Sequence, residues 1–413
     1  VGLNIAGAVK TGRAYLYVFN SFVSKIKAVF KSLDAGVHFE KLCYEKTGYE
    51  AFFSVEASAG ELKQVFLSLE ETENLGRLVD IDVIDVDKIK LSRPKPRPCL
   101  VCGRDDLGCS ARRSHDVKTI IEKTDYMILA ELKQILADKI SKLAQKALLY
   151  ELSISPKPGL VDRLNNGSHE DMDFFKFIDS SVTLKKYFER LVFVALDSKD
   201  DTKGLFQKIK ALAMLAENEM LISTDGKNTH KGAIFHIGLA AFSCARIKSP
   251  DAKKISEYIK NNFAEIIEDE LKLRLDSGGS SFGLKAYKEY GISGARGQAI
   301  AGYSLVVDEL LPLLNKNLNK GYDYAGLACL LKAILSLQDS TAIKRCGLEG
   351  LNLFKHKISK ISSLDMAEIN ALDRECREAN ISFGGAADML ALSLFFMFLE
   401  KEKELLELFA LCP

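Results

Sequence analysis

The sequence predicts a small α+β domain followed by a larger all-α domain, and three observations carry that prediction. Up to about residue 122, short alternating or apolar runs are interleaved with amphipathic stretches. From Asp125 onward Ile128, Leu132, Ile135, Leu136, Ile140, Leu143 and Ala147 recur every three or four positions, the period of one helix face. The chain beyond offers no convincing strand, only helical runs separated by loops rich in Gly, Asn and Ser. The expected domains are 1–122 and 126–413.

Taken in order, residues 1–9 and 49–56 have the short apolar or alternating character of strands, and 21–33 and 59–71 the amphipathic character of helices. Residues 77–86, Arg-Leu-Val-Asp-Ile-Asp-Val-Ile-Asp-Val, are dense in β-branched residues with no breaker and are expected to form a strand. A loop rich in Pro, Arg and Cys covers 92–115. In the helical part, polar loops are expected at 156–168, 224–232, 276–297 and 380–388.

With 413 residues, 47% of them hydrophobic, the chain can fill large cores, which excludes a disordered or collagen-like protein. Its 57 Lys+Arg against 56 Asp+Glu leave a net charge of +1, too balanced to coat a polyanion, so no nucleic-acid or membrane partner is expected and phosphate binding has to be local. The longest apolar stretch, 390–399, is too short to cross a bilayer. Nine cysteines, several in apolar helical runs, suit a reducing compartment, and cytoplasm is expected. The chain begins with Val rather than Met, so its natural start is expected to be missing.

On a strand, side chains two apart share a face, so Asp80 and Asp82 present paired carboxylates while Asp85 faces away. Such a pair suits Mg²⁺ in a phosphoryl-transfer site of the nucleotidyltransferase kind, or else marks an ordinary solvated strand edge. Beyond it, Cys99, Cys102, Cys109 and His115 offer a Cys₃His set for Zn²⁺, or reduced thiols that pack a loop. Arginines 93, 97, 104, 112 and 113 in the same loop offer bidentate contacts to phosphate, or a solvated basic surface.

Four segments of the helical part concentrate polar groups. The first supplies Lys157, Asp162, Arg163, Asn165, Asn166, His169, Asp171 and Asp173, as a site or as a long capping loop. The second has Asn228 or Thr229 as the expected N-cap, with Lys227, His230 and Lys231 beside free backbone N–H groups, a phosphate cradle. The third, 290–302, is a glycine-rich helix entry with Arg296 as a phosphate clamp. The fourth carries Gly384 and Gly385, which permit close backbone approach, with Asp388 on the first turn of the next helix.

Two resemblances emerge from these motifs. Residues 1–122, with NIAGAVK, GRLVDIDVID, LSR, RPCLVCG and Cys-x₂-Ala-Arg-Arg-Ser-His, resemble apo-citrate lyase phosphoribosyl-dephospho-CoA transferase. From residue 126, ALLYELSISPKPGLVDRLNNGSHEDMDFFKF, NTHKGAIF, GARG and ISFGGAADML resemble triphosphoribosyl-dephospho-CoA synthase. Together they look like a fusion of the two families. The resemblance implies ATP (with Mg²⁺) and 3′-dephospho-CoA as substrates of the helical domain, adenine as a product, and the citrate lyase acyl carrier subunit as partner of the first domain. In its light Asp162, His169, Asp171 and Asp173 are expected to share acid–base and metal work. Lys157, Lys231, Arg296 and the glycine-rich entries would hold phosphate. In the first domain Asp80 and Asp82 would hold Mg²⁺, with Arg77, Arg93 and Arg112 neutralising developing charge. Phe383 stands where the pattern has Pro, and Gln298 where it has Glu. The rival readings are the same chemistry serving malonate decarboxylase, and a non-catalytic zinc-stabilised binding module.

Overall fold

A computed structural model describes residues 1–106, 108–276, 294–361 and 363–412. The chain divides into two compact units, Val1–Gln134 with Leu411–Pro413, and Ile135–Ala410.

The first unit holds a four-stranded antiparallel sheet in the order Gly36–Glu45, Gly48–Glu56, Gly2–Leu3, Val79–Asp80. The two long strands form a hairpin in which Glu45 faces Gly48 and Gly36 faces Glu56, with an irregularity between Val37 and Phe39. Against the sheet lies the helix Arg13–Ser32, which buries Val18, Phe19, Phe22, Val23, Ile26 and Phe30 on one face. Phe30 meets Phe53 of the sheet and Phe66 of the helix Ala59–Thr72 edge-on, at centroid distances of 5.3 and 6.0 Å. Ser58 caps that second helix by accepting the Glu61 N–H.

Two expected strands shrink. Of residues 1–9 only Gly2–Leu3 joins the sheet, and of 77–86 only Val79–Asp80, preceded by a 3₁₀ turn at Gly76–Leu78 and followed by an isolated bridge from Ile84 to Lys90. The β-branched density nevertheless marks the facing correctly: Val79, Ile81 and Val83 are buried while Asp80, Asp82 and Ile84 are exposed. What replaces the missing ladder is a charge. Glu70 of the second helix accepts the Ile81 N–H at 2.8 Å, and Lys63 donates to the Ile81 carbonyl.

In the second unit everything described is helix, turn or loop. The long helix Val117–Ser153 enters it, starting before the expected Asp125 because Asp116 accepts the Thr119 N–H at 2.8 Å. Two helices, Lys231–Ile247 and Gly384–Lys401, are buried on nearly all sides, as their apolar composition all round requires. Around them pack Phe174–Asp197, Thr202–Ser223, Ala252–Asp276 and Tyr322–Ser336. No single helix among the described residues is long and apolar enough to cross a membrane.

Candidate active sites

Each unit gathers the predicted polar residues differently. In the first, Asp80 and Asp82 both face outward beyond the short edge strand, with side chains 59% and 41% exposed, and each meets a cation: Arg97 lies 3.4 Å from Asp80 and Lys90 lies 2.7 Å from Asp82. Arg97 also donates to the Val79 carbonyl at 2.8 Å and pairs with the buried Glu70 at 2.5 Å. Arg93 is committed elsewhere, to Glu70 at 2.6 Å and Glu71 at 3.1 Å. Arg77 donates twice to the Pro98 carbonyl and so ties the loop to the turn before the strand. Arg112 is exposed at the end of the short helix Cys109–Arg112. The arginine beside the acid pair is therefore Arg97.

In the same loop the metal-ligand atoms of Cys99, Cys102, Cys109 and His115 all lie within 4.8 Å of one another. The Cys102 N–H directed at its sulfur pushes the Cys99 thiol down to about 6, while burial pushes Cys109 up.

In the second unit, a cavity of about 810 Å³ lies between helix N-termini, a size suited to a small-molecule ligand. Asn228, Lys231, Gly232, Arg296, Asp339, Gly385 and Asp388 line it. A smaller cavity of about 170 Å³ shares Asn228, Lys231, Gly232, Thr341 and Asp388 with it and adds Glu151, Lys157, His169, Thr229, His230 and Gly384. Asp388 stands one turn into the helix Gly384–Lys401 rather than in its first turn. A Cβ on Gly232 would fall 1.8 Å from the Asp388 carboxylate, so only glycine lets the start of the helix Lys231–Ile247 approach it. The N-cap of that helix is His230, not Asn228 or Thr229, although Asn228 still accepts the Lys231 N–H at 3.2 Å.

Several predicted residues organise the first polar segment. Asp162, buried, accepts N–H groups from Lys157, Leu164 and Asn165 at 2.7, 2.7 and 3.2 Å. Asn165 accepts the Gly167 N–H and donates to Asp373, while Asn166, exposed, lends its carbonyl to the His169 N–H. Asp173 caps the helix Phe174–Asp197, and Asp171 is exposed, 3.8 Å from Lys227. None of these five lines either cavity. Lys157 is buried against Glu151, donating to its carbonyl at 2.8 Å and its carboxylate at 2.5 Å.

His169 is held at both nitrogens. An arginine can only donate, so the 3.1 Å contact from Arg345 makes Nδ1 the acceptor and leaves the proton on Nε2, which donates to Ser382 at 3.0 Å. Burial, reinforced by Arg345, brings its pKa down to about 4, so the ring is neutral near pH 7. His230 is more deeply buried, and desolvation, with Lys157 nearby, brings it to about 3. Its Nδ1 lies 2.7 Å from the Ser180 hydroxyl, and its Nε2, like the Thr229 hydroxyl, is buried without a hydrogen-bond partner.

A family model for ATP:dephospho-CoA triphosphoribosyl transferase (CitG) matches residues 137–406, and one for apo-citrate lyase phosphoribosyl-dephospho-CoA transferase (CitX) matches residues 1–131. The chain belongs to both families, fused in one polypeptide. Protein CitXG of Haemophilus influenzae is 32% identical, the match covering 96% of this chain and 90% of that protein. Protein CitXG of Leuconostoc mesenteroides subsp. cremoris is 30% identical with the same coverage, 96% and 90%. A probable 2-(5''-triphosphoribosyl)-3'-dephosphocoenzyme-A synthase of Streptococcus equi subsp. equi is 34% identical over 64% of this chain and 98% of that protein. The chain is accordingly a bifunctional transferase of citrate lyase prosthetic-group synthesis, which sets aside the non-catalytic binding module.

The CitG region also holds site residues that the sequence reading missed. Asp339 caps two helices at once, accepting N–H groups from Thr341 and Ala342 at 2.8 and 3.2 Å and from Ala386 at 3.0 Å. Its signal was an Asp-Ser-Thr helix start, indistinguishable in sequence from any surface cap. Burial raises the pKa of Asp339, Glu151 and Asp388, and each of the first two also pushes Asp388 up. Arg345, unmarked by any motif, joins two polar segments by donating to the Ser168 carbonyl, the Asn380 side chain and His169. Of the third segment, residues 290–293 lie outside the described residues; Arg296 and Gln298 line the larger cavity.

Proposed function

We propose that the CitG region joins ATP to 3′-dephospho-CoA with loss of adenine, and that the CitX region then attaches the product to a serine of the citrate lyase acyl carrier subunit with loss of pyrophosphate. In the first reaction the 2′-hydroxyl oxygen of the dephospho-CoA ribose bonds to C1 of the ATP ribose. The bond from C1 to adenine breaks, its electron pair leaves with the base, and the hydroxyl proton must be taken up.

One observation carries this reading: a cleft of nucleotide size lined by Asp388, raised in pKa by burial and then by the neighbouring acids Asp339 and Glu151, together with Lys231, Arg296 and the starts of two helices. Asp388 is the proton acceptor in this scheme. Lys231, Arg296 and the helix entries hold the triphosphate, and Mg²⁺ bound beside Asp388 and Asp339 would neutralise part of its charge. Thr229 and His230, whose buried polar atoms lack partners, supply hydrogen bonds to the nucleotide in the smaller cavity. His169 is a neutral positioning residue, and Asp162, Asp171 and Asp173 shape or flank the loop rather than meet substrate.

In the second reaction the carrier serine oxygen bonds to the α-phosphorus, its hydroxyl proton passing to solvent, and the bond to pyrophosphate breaks with its electron pair leaving on the pyrophosphate oxygen. The outward Asp80–Asp82 pair fits Mg²⁺, which would stabilise charge on the phosphoryl oxygens. Arg97 and Arg112 neutralise the leaving pyrophosphate, with Arg77 holding the loop in place. This division gives the CitX region the roles of a nucleotidyltransferase. The match of residues 1–131 to an apo-citrate lyase family favours that client over malonate decarboxylase.

The test is direct. The full chain with ATP, 3′-dephospho-CoA and Mg²⁺ is expected to release adenine in step with product, and addition of apo-acyl carrier subunit to release pyrophosphate and add the group's mass to a serine. Absence of adenine would overturn the first assignment. Labelling of the carrier with Asp80 and Asp82 both replaced by Asn would overturn the second.

A further inference from the structure

We infer that Cys99, Cys102, Cys109 and His115 bind one Zn²⁺ ion that staples the arginine loop of the first unit. Four atoms of the right kind lie within 4.8 Å of one another. Cys102 Sγ and Cys109 Sγ are 3.7 Å apart. Two thiolates on a tetrahedral zinc, each about 2.3 Å from the metal, stand about 3.8 Å apart. A disulfide requires about 2.0 Å. The spacing is that of ligands around a common centre.

The local backbone is shaped to present these atoms. Cys99 and Cys102 bracket a tight turn in which the Gly103 N–H donates to the Cys99 carbonyl at 2.9 Å and the Cys99 N–H to the Arg104 carbonyl at 2.8 Å. Gly103 has φ +71° with open space around it, so its role is conformational. Downstream, the intervals to Cys109 and His115 are shorter than usual for zinc fingers. They suffice because the chain doubles back: the short helix Cys109–Arg112 is followed by Arg113 in the left-handed region at φ 50°, and the Ser114 N–H returns to the Cys109 carbonyl at 3.1 Å.

Loop packing by reduced thiols does not account for these features. Cys102 is exposed, so its thiol does not fill a core, and His115 Nε2 is buried with no hydrogen-bond partner, a cost that a bound metal would offset. Three thiolates with one Zn²⁺ carry a net charge of about −1, in a segment whose arginines 112 and 113 follow Cys109 closely in sequence. Because Arg77 grips the Pro98 carbonyl immediately before Cys99, the ion would fix the loop that also brings Arg97 to Asp80.

The full chain, untagged and purified under reducing conditions without chelator, is expected to contain about one zinc per chain by elemental analysis. Replacement with Co²⁺ should give the visible ligand-field bands of a tetrahedral cobalt thiolate. The Cys99→Ser/Cys102→Ser double variant should fall below about 0.1 equivalents with those bands lost, while Cys43→Ser, outside the cluster, keeps both. Helical circular dichroism serves as the folding readout for every variant. Three results would each overturn the assignment: no zinc uptake by the reduced, folded protein; undiminished zinc in the double variant; or a Cys102–Cys109 disulfide in metal-free protein.

Discussion

The two units manage their carboxylates in opposite ways. Asp80 and Asp82, at and just beyond the end of the short edge strand, are exposed and are held by side-chain cations, Arg97 and Lys90. Asp339 is buried and Asp388 half-buried at the wall of the cleft, and both are held by backbone N–H groups near helix starts. An exposed acid retains its charge at little cost but is screened, whereas burial near other acids raises the pKa, so that the carboxylate, where ionised, holds a proton more tightly and is the stronger base. The first arrangement suits gripping a charged leaving group. The second suits moving a proton.

That contrast can be broken, and the largest expected effect is at Asp388. Asp388→Asn should slow adenine release by about 10²–10³-fold with carrier labelling from supplied intermediate unchanged; an equal loss in both assays would show that the division of labour is false. Asp80→Asn and Asp82→Asn should invert the pattern, lowering transfer to the carrier by about 10²-fold while adenine release stays at the parental rate.

Acid stability sharpens the comparison further. His230 is neutral in the folded protein, with a pKa lowered to about 3, while in the unfolded chain it titrates near the ordinary histidine value. The unfolded state therefore binds the extra proton as pH falls through about 6.5, and stability present above that pH is lost below it. Between pH 7.5 and 5 the protein should lose about 2 kcal/mol more than His230→Gln does, measured by denaturant unfolding of the second unit. The smallest effect is expected at the exposed site. Lys90→Ala should leave the denaturant midpoint essentially unchanged and alter carrier labelling by no more than about threefold, because the Lys90–Asp82 pair is largely solvated.

Much of the architecture was legible because it rests on patterns that repeat. The period of the long helix Val117–Ser153 and the in–out alternation from Val79 to Ile84 can be read without knowing any partner. The length of an edge strand cannot, since pairing depends on where a distant segment lies, and residues 77–86 place only Val79 and Asp80 in the sheet. The polar loops were equally visible, but an Asp that organises a turn and an Asp that meets a ligand have the same composition around them. Asp162 has three backbone donors and lines neither cavity, whereas Asp388 shares a helix with an apolar core and lines both. Glu151 and Arg345 stand in runs of ordinary helix and Asp339 at an ordinary helix cap, and only folding brings them to the cleft or to His169.

Glu70 has a consequence of its own. One buried carboxylate receives the Ile81 N–H and two guanidinium groups, so the place of the acid-bearing segment and the place of its cations are set from the same point. Glu70→Gln would keep an acceptor for Ile81 while releasing the charges of Arg93 and Arg97, uncoupling the thread from its anchors. A chain in which Asp82 stays put but Arg97 wanders would still bind the incoming group and fail to let the outgoing one depart.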